Sequence, residues 1–157
     1  MAITIAVQEF LRRANVDYTV FRHAPAYTAQ EEAALAHVPG RNWAKVVVCI
    51  ADGEPIQVVV PADLHVDLER LAEVVVASEL RLAREDELVW LFPDCEPGAM
   101  PPFGPLFRQR VYVDRLLAED EEIVFNGGTH VDAVIMRYED FAGLTEPTVG
   151  RFAIRRA

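Results

Sequence analysis

The stretch RNWAKVVVCI (residues 41–50) holds Lys45, the only lysine in the chain; the other fourteen basic residues are arginines. Lysine is almost never fully buried without a partner, yet Lys45 heads an apolar run with the look of a core strand. Two readings are open. Facing a cleft, its ammonium needs an anion or a carbonyl beside it and could hold a substrate phosphate or carboxylate, or polarise a carbonyl. At a strand end it could instead snorkel to solvent. A second candidate is PGAMPPFG (97–104), in which Gly98 permits unusual φ and close approach of a ligand. Pro101 and Pro102 stiffen the backbone that follows Ala99 and Met100. Such a loop can present backbone N–H groups to a developing oxyanion, or it can be a tight structural crossover. The third is GGTH (127–130), where His130 is either an acid/base or orienting group or an ordinary surface histidine. His23 poses the same choice.

Several kinds of chemistry have no residues to run on. The single serine, Ser78, has no GxSxG around it, which disfavours a serine-nucleophile hydrolase. The four histidines, at 23, 37, 65 and 130, show no HExxH or short paired spacing, so no metal is expected. Neither a P-loop nor GxGxxG is present, and no cofactor is expected. Cys49 and Cys95 make no CxxC pair and read as reduced thiols of a cytoplasmic protein. Covalent catalysis by one of them stays open, although a core thiol is normally inert.

The elements that must position these residues follow from apolar spacing. A helix is expected over Thr4–Ala14 and a strand over Asp17–Arg22. A second helix is opened by Thr28, with Glu31 three residues on in capping-box spacing. Lys45–Ala51 and Pro55–Val60 flank Asp52-Gly53 as a hairpin. Helical periodicity marks Asp67–Val76 and the region of Arg84–Leu91. PDCEPGAMPPFGP (93–105) has five prolines in 13 residues, a structured loop rather than a linker. Strands at Gln109–Val113, Ile123–Asn126 and Val131–Tyr138 follow, then a short helix near Glu139–Leu144. The sum is an α+β fold, a single compact domain over 1–157 with a mixed, largely antiparallel sheet and flanking helices. Apolar runs are too short for a membrane helix, and no signal peptide is expected. The net charge of −10 opposes generic nucleic-acid binding. Two arginine clusters, at 108, 110 and 115 and at 151, 155 and 156, could still serve a local contact with RNA, or be solvated surface.

In their order, FRHAPAYTAQEEAA, AKVVV, EPGAMPPFG and FNGGTHVDAVIM resemble the YbaK and prolyl-tRNA-synthetase-associated editing domains, aminoacyl-tRNA deacylases that act in trans or as an insertion in the synthetase. The resemblance runs from about His23 to Phe141. It implies a compact α+β domain and puts the family's functional lysine at Lys45. The family's GxxxP loop falls on Gly98-Ala99-Met100-Pro101-Pro102, and its glycine-plus-histidine segment on Gly128 and His130. His23, Thr28 and Glu31 match an N-terminal pattern that shapes the pocket wall. Met100-Pro101 stands where relatives commonly carry small or hydroxylated residues, which bears on pocket size.

The implied reaction is hydrolysis of the ester between a small, wrongly attached amino acid and the tRNA 3′ adenosine. No protein nucleophile is needed. The partners implied are the acceptor end of a mischarged tRNA and, in some relatives, a synthetase; no membrane is involved. Two other readings remain: a non-catalytic module that binds aminoacyl-adenosine or a synthetase, and a small-molecule ester or amide hydrolase, which suits the acidic surface.

Overall fold

A computed structural model describes residues 4–24 and 38–155. The expected helix at Thr28 lies outside these residues. Helix α1 (Ile5–Ala14) follows an extended Thr4 and closes on Asn15, whose φ of 55° places it in the left-handed region. Its buried stripe is Val7 and Leu11, the i, i+4 spacing of one helix face. Arg12 and Arg13 occupy the last turn, where cations suit the carbonyl end of the helix dipole.

The largest sheet is built on the expected hairpin. Strands β2 (Ala44–Ala51) and β3 (Glu54–Pro61) pair antiparallel from Ala44 opposite Pro61 to Ala51 opposite Glu54. Asp52 and Gly53 turn the chain with φ of 48° and 85°, the left-handed pair that suits a two-residue hairpin. On the outer side of β2 lies β5 (Leu80–Leu82), antiparallel; beyond β3 lie β6 (Arg110–Asp114) and β9 (Thr148–Gly150), both parallel. A second sheet orders β1 (Tyr18–Arg22), β8 (Asp132–Arg137) and β7 (Glu122–Asn126), all antiparallel. Two residues each of β4 (His65–Val66) and β10 (Ala153–Ile154) make a small pair. The sheets are therefore mixed and mostly antiparallel, as expected.

Helices cover the faces. Asp67 caps α2 (Leu68–Val75), its carboxylate accepting from the N–H of Glu69 and Arg70 at 3.0 and 3.2 Å. Leu71 and Val75 pack on Cys49, Ile56, Val58 and Phe152. Helix α3 (Glu85–Leu91), the short α4 (Arg115–Ala118) and α5 (Tyr138–Thr145) complete the described helices. The main core joins both sheets to α1 and α5. Phe103 is fully buried and stacks on Phe10 at 5.0 Å and edge-on to Phe125 at 5.2 Å.

Four short strands (β4, β5, β9, β10) and α4 were not expected from sequence. A strand of two or three residues shows no period; pairing alone makes it one. The strand expected at Val131–Tyr138 begins at Asp132, because Thr129 Oγ1 holds the N–H of Val131 and Asp132 in a turn at 3.3 and 3.1 Å.

Candidate active site

Two of the candidate residues lie close to the bridge that joins the two sheets, His23 through its ring and Lys45 in sequence. Trp43, fully buried, forms a parallel bridge with Val124 of β7. Its face of the seam packs with Ala133, Phe21 and Ile135. Two residues further along each chain come Lys45 and Asn126; with a period of two they fall on the same faces as Trp43 and Val124. The half-buried Lys45 donates from Nζ to the carbonyl of Leu64 at 2.7 Å. His23 continues β1, its N–H bonding the carbonyl of Val131 at 2.9 Å, with its ring edge-on to Trp43 at 5.7 Å. So β1, β2 and β7 meet around Trp43, with the His23 ring beside it and Lys45 and Asn126 two residues beyond the bridge.

The proline-rich loop is braced against the β7–β8 turn by backbone. Glu96 N–H donates to Gly128 O at 2.8 Å, and Gly128 N–H donates to Ala99 O at 3.0 Å. His130 adds two more links: its N–H donates to Glu96 Oε1 at 2.6 Å, and its ring Nε2 lies 2.8 Å from Pro97 O. A carbonyl only accepts, so that contact puts a proton on Nε2. Both glycines are required by geometry. Gly98 has φ +88° and its α-carbon faces the His130 ring, where a Cβ would stand 3.4 Å from Cε1. Gly128 has φ +106°, and a Cβ would stand 2.5 Å from Thr4 Cγ2.

Met100 takes the opposite direction. It is buried with Val48 and Phe92 beneath the loop, and its Sδ accepts from the N–H of Gly98 at 3.2 Å. Its bulk fills the core on the face of β2 that carries Val46 and Val48, away from Lys45. Pro101 and Pro102 are buried, and Pro101 O accepts from Gln57 Nε2 at 3.3 Å.

The structure thus brings Gly98, Ala99, Met100, Gly128 and His130 into one braced unit. It puts His23 and Lys45 on the neighbouring seam. Thr28 lies outside the described residues. Sequence reasoning passed over Trp43, Glu96, Asn126 and Gln57. Three of them stood inside the quoted segments RNWAK, EPGAM and FNGGTH; Gln57 was the one polar break in PIQVVVP. The cysteines leave the list of nucleophiles. Burial pushes the Cys49 thiol up to about 12 and the Cys95 thiol, helped by Asp94, up to about 11. Among the described residues no group of three or more His, Cys, Asp or Glu could hold a metal ion. No described helix is long and apolar enough to cross a membrane.

Residues 23–144 match the model of the aminoacyl-tRNA editing domain. The chain belongs to that family. The matched span agrees with the stretch from His23 to Phe141 singled out by the sequence motifs. The multifunctional Ser/Thr-tRNA deacylase ProXp-y of Escherichia coli K12 is 26% identical over 147 residues, 90% of this chain and 87% of that one. A proline–tRNA ligase of Nitratidesulfovibrio vulgaris is 28% identical over 130 residues, 76% of this chain but 22% of the ligase. Among solved structures, hypothetical protein APE2540 superposes with a TM-score of 0.84 at 22% identity, covering 95% of this chain and 99% of that one. A candidate trans-editing enzyme for prolyl tRNA synthetase superposes at 0.80 and 21% identity, covering 98% and 99%. These likenesses place the α+β fold among editing domains.

Proposed function

We propose that this editing domain hydrolyses the ester of a mischarged aminoacyl-tRNA, that the amino acid is small, and that the seam at Lys45 together with the 98–102 loop is where the aminoacyl-adenosine end sits. One observation carries the reading: the sole lysine is held half-buried by the Leu64 carbonyl, in a chain whose Gly98–Pro102 loop is braced by backbone bonds to Gly128. The ammonium of a lysine is a fixed positive charge with no acceptor, the kind of group that can hold a substrate oxygen or phosphate.

Water attacks the ester carbonyl, giving up a proton as it does so. Its O–C bond forms, the bond from carbon to the ribose oxygen breaks, and that oxygen leaves with a proton. Backbone N–H groups of the loop are the donors in range of the developing oxyanion. The N–H of Gly98 donates to the thioether of Met100, a weak acceptor; a small turn of the loop would release it to an oxyanion. Donors of this kind contribute about 3 kcal/mol each when fixed beforehand. His130, with its ring bound to Pro97 O, holds the loop in place and acts by orienting it. The likeness to a Ser/Thr-tRNA deacylase favours seryl and threonyl esters as first substrates. We place the reaction in the cytoplasm, in trans, on the acceptor end alone, in keeping with a chain of net charge −10.

The test is deacylation of tRNAs carrying Ala, Cys, Ser, Thr or Pro, at rising salt. Release of one or two small amino acids is expected, weakening as salt rises because phosphate contacts release counterions. Activity indifferent to salt would favour a small-molecule ester. No release from any of the five would favour a binding module.

A further inference from the structure

We infer that Gln57 is a positioning residue that holds the 98–102 loop in its working shape through the carbonyl of Pro101; the inference rests on the reading of that loop as the substrate-carbonyl site. Gln57 is fully buried in the middle of β3, opposite Val48 on one side and Val111 on the other. The rest of the strand from Ile56 to Val60 is aliphatic. A primary amide in such a layer is unfavourable unless its hydrogen-bonding groups are met. Here only half of it is met: Nε2 donates to Pro101 O at 3.3 Å, while Oε1 has no partner. Packing alone would be served better by leucine or methionine.

The loop explains why a donor is needed at this point. Pro101 and Pro102 have no N–H, so the Pro-Pro segment cannot fasten itself to the sheet and can only accept. The backbone of β3 is engaged in ladders with β2 and β6, so a side chain must supply the donor. Gln57 does, and fixing the Pro101 carbonyl fixes the Pro101–Pro102 peptide and so limits how the Gly98–Met100 backbone before it can turn. Gly128 and His130 brace the front of the loop; Gln57 anchors its back.

Three variants test this. Gln57→Met and Gln57→Leu conserve volume and remove both the bond and the unmet oxygen. Their melting temperature is expected to hold or rise, while kcat for deacylation falls about 10- to 100-fold, the range set by displacing a positioned group by an ångström or less; KM stays within about twofold. Gln57→Glu can donate to Pro101 O only when protonated. Burial raises a carboxyl pKa, so its activity is expected to approach wild type at low pH and decline as pH rises, beyond any decline of wild type. Amide exchange gives a readout that needs no substrate: the N–H of Ala99 and Gly128 should exchange faster in Gln57→Met. Unchanged exchange and unchanged kcat in Gln57→Met would overturn the inference, as would a kcat loss matched by a lower melting temperature with no pH signature in Gln57→Glu. If wild type releases no amino acid, the reading of the site fails, and exchange alone then decides whether Gln57 anchors the loop.

Discussion

The two ends of the β2–β3 hairpin are closed by the same device in different surroundings. At the Asp52 end a charged side chain bonds backbone. Asp52 Oδ1 accepts from the N–H of Ser78 and Glu79 at 3.1 and 2.8 Å. At the Lys45 end a charged side chain also bonds backbone, the carbonyl of Leu64. Asp52 is exposed and its contacts tie the turn to the approach of β5. Lys45 is half-buried and stands where the two sheets part. The difference teaches that what a charge bonded to the backbone costs depends on its surroundings. A charge in water costs little to hold, whereas a half-buried one has to be stabilised by the groups packed around it.

The sharpest way to break this comparison is Lys45→Ala. Deacylation should fall by about 100-fold or more, the scale of losing a fixed charge-stabilising donor, with far-UV circular dichroism unchanged. Unchanged turnover would put the two ends of the hairpin on the same structural footing. Next in size is Gly128→Ala at the seam. A Cβ forced against Thr4 with φ at +106° should lower stability by about 2–3 kcal/mol in denaturant melts. Equal stability would mean that α1 can shift away freely.

Asp52→Ala at the far end should cost about 1 kcal/mol and leave kcat untouched. A loss of activity there would show that the turn reports to the site. The smallest effect concerns the thiols, one on each half of the contrast. Unfolded thiols ionise near their ordinary value of 9.0, while in the fold Cys95 waits until about 11 and Cys49 until about 12. Their contribution to stability is therefore complete below pH 9 and is lost as pH rises toward 11 and 12. At pH 8 thiol reagents should label neither one without denaturant, and deacylation should survive the treatment. Rapid labelling of Cys95 would reveal that the layer under the loop opens.

Much of this was legible in the chain. The hairpin announced itself through Asp52-Gly53 between two apolar runs, because only a few residue types accept the left-handed turn. α1, α2 and α3 were legible from helical periodicity; β7 and β8 came from β-rich runs set off by turn residues. The motifs at Lys45, Gly98 and Gly128 could be named since glycine and lysine are rare choices where they stand. Other features were not readable. β9 is a strand because β6 lies beside it, and nothing local says that the Met100 side chain packs against Val48 and Phe92. Gln57 was visible only as a polar letter in an aliphatic strand; its partner is 44 residues away.

The sequence by itself determined the α+β class, the loop that cannot bend and the lysine that needs a partner, since these follow from local sterics and the cost of burying charge. Tertiary structure alone decided that Trp43 and Val124 join two sheets, that Leu64 holds Lys45, and that Gly128, His130 and Gln57 grip one loop from opposite sides. Those are contacts between residues far apart in the chain. Their geometry is set by how sheets pack, and no local pattern encodes it.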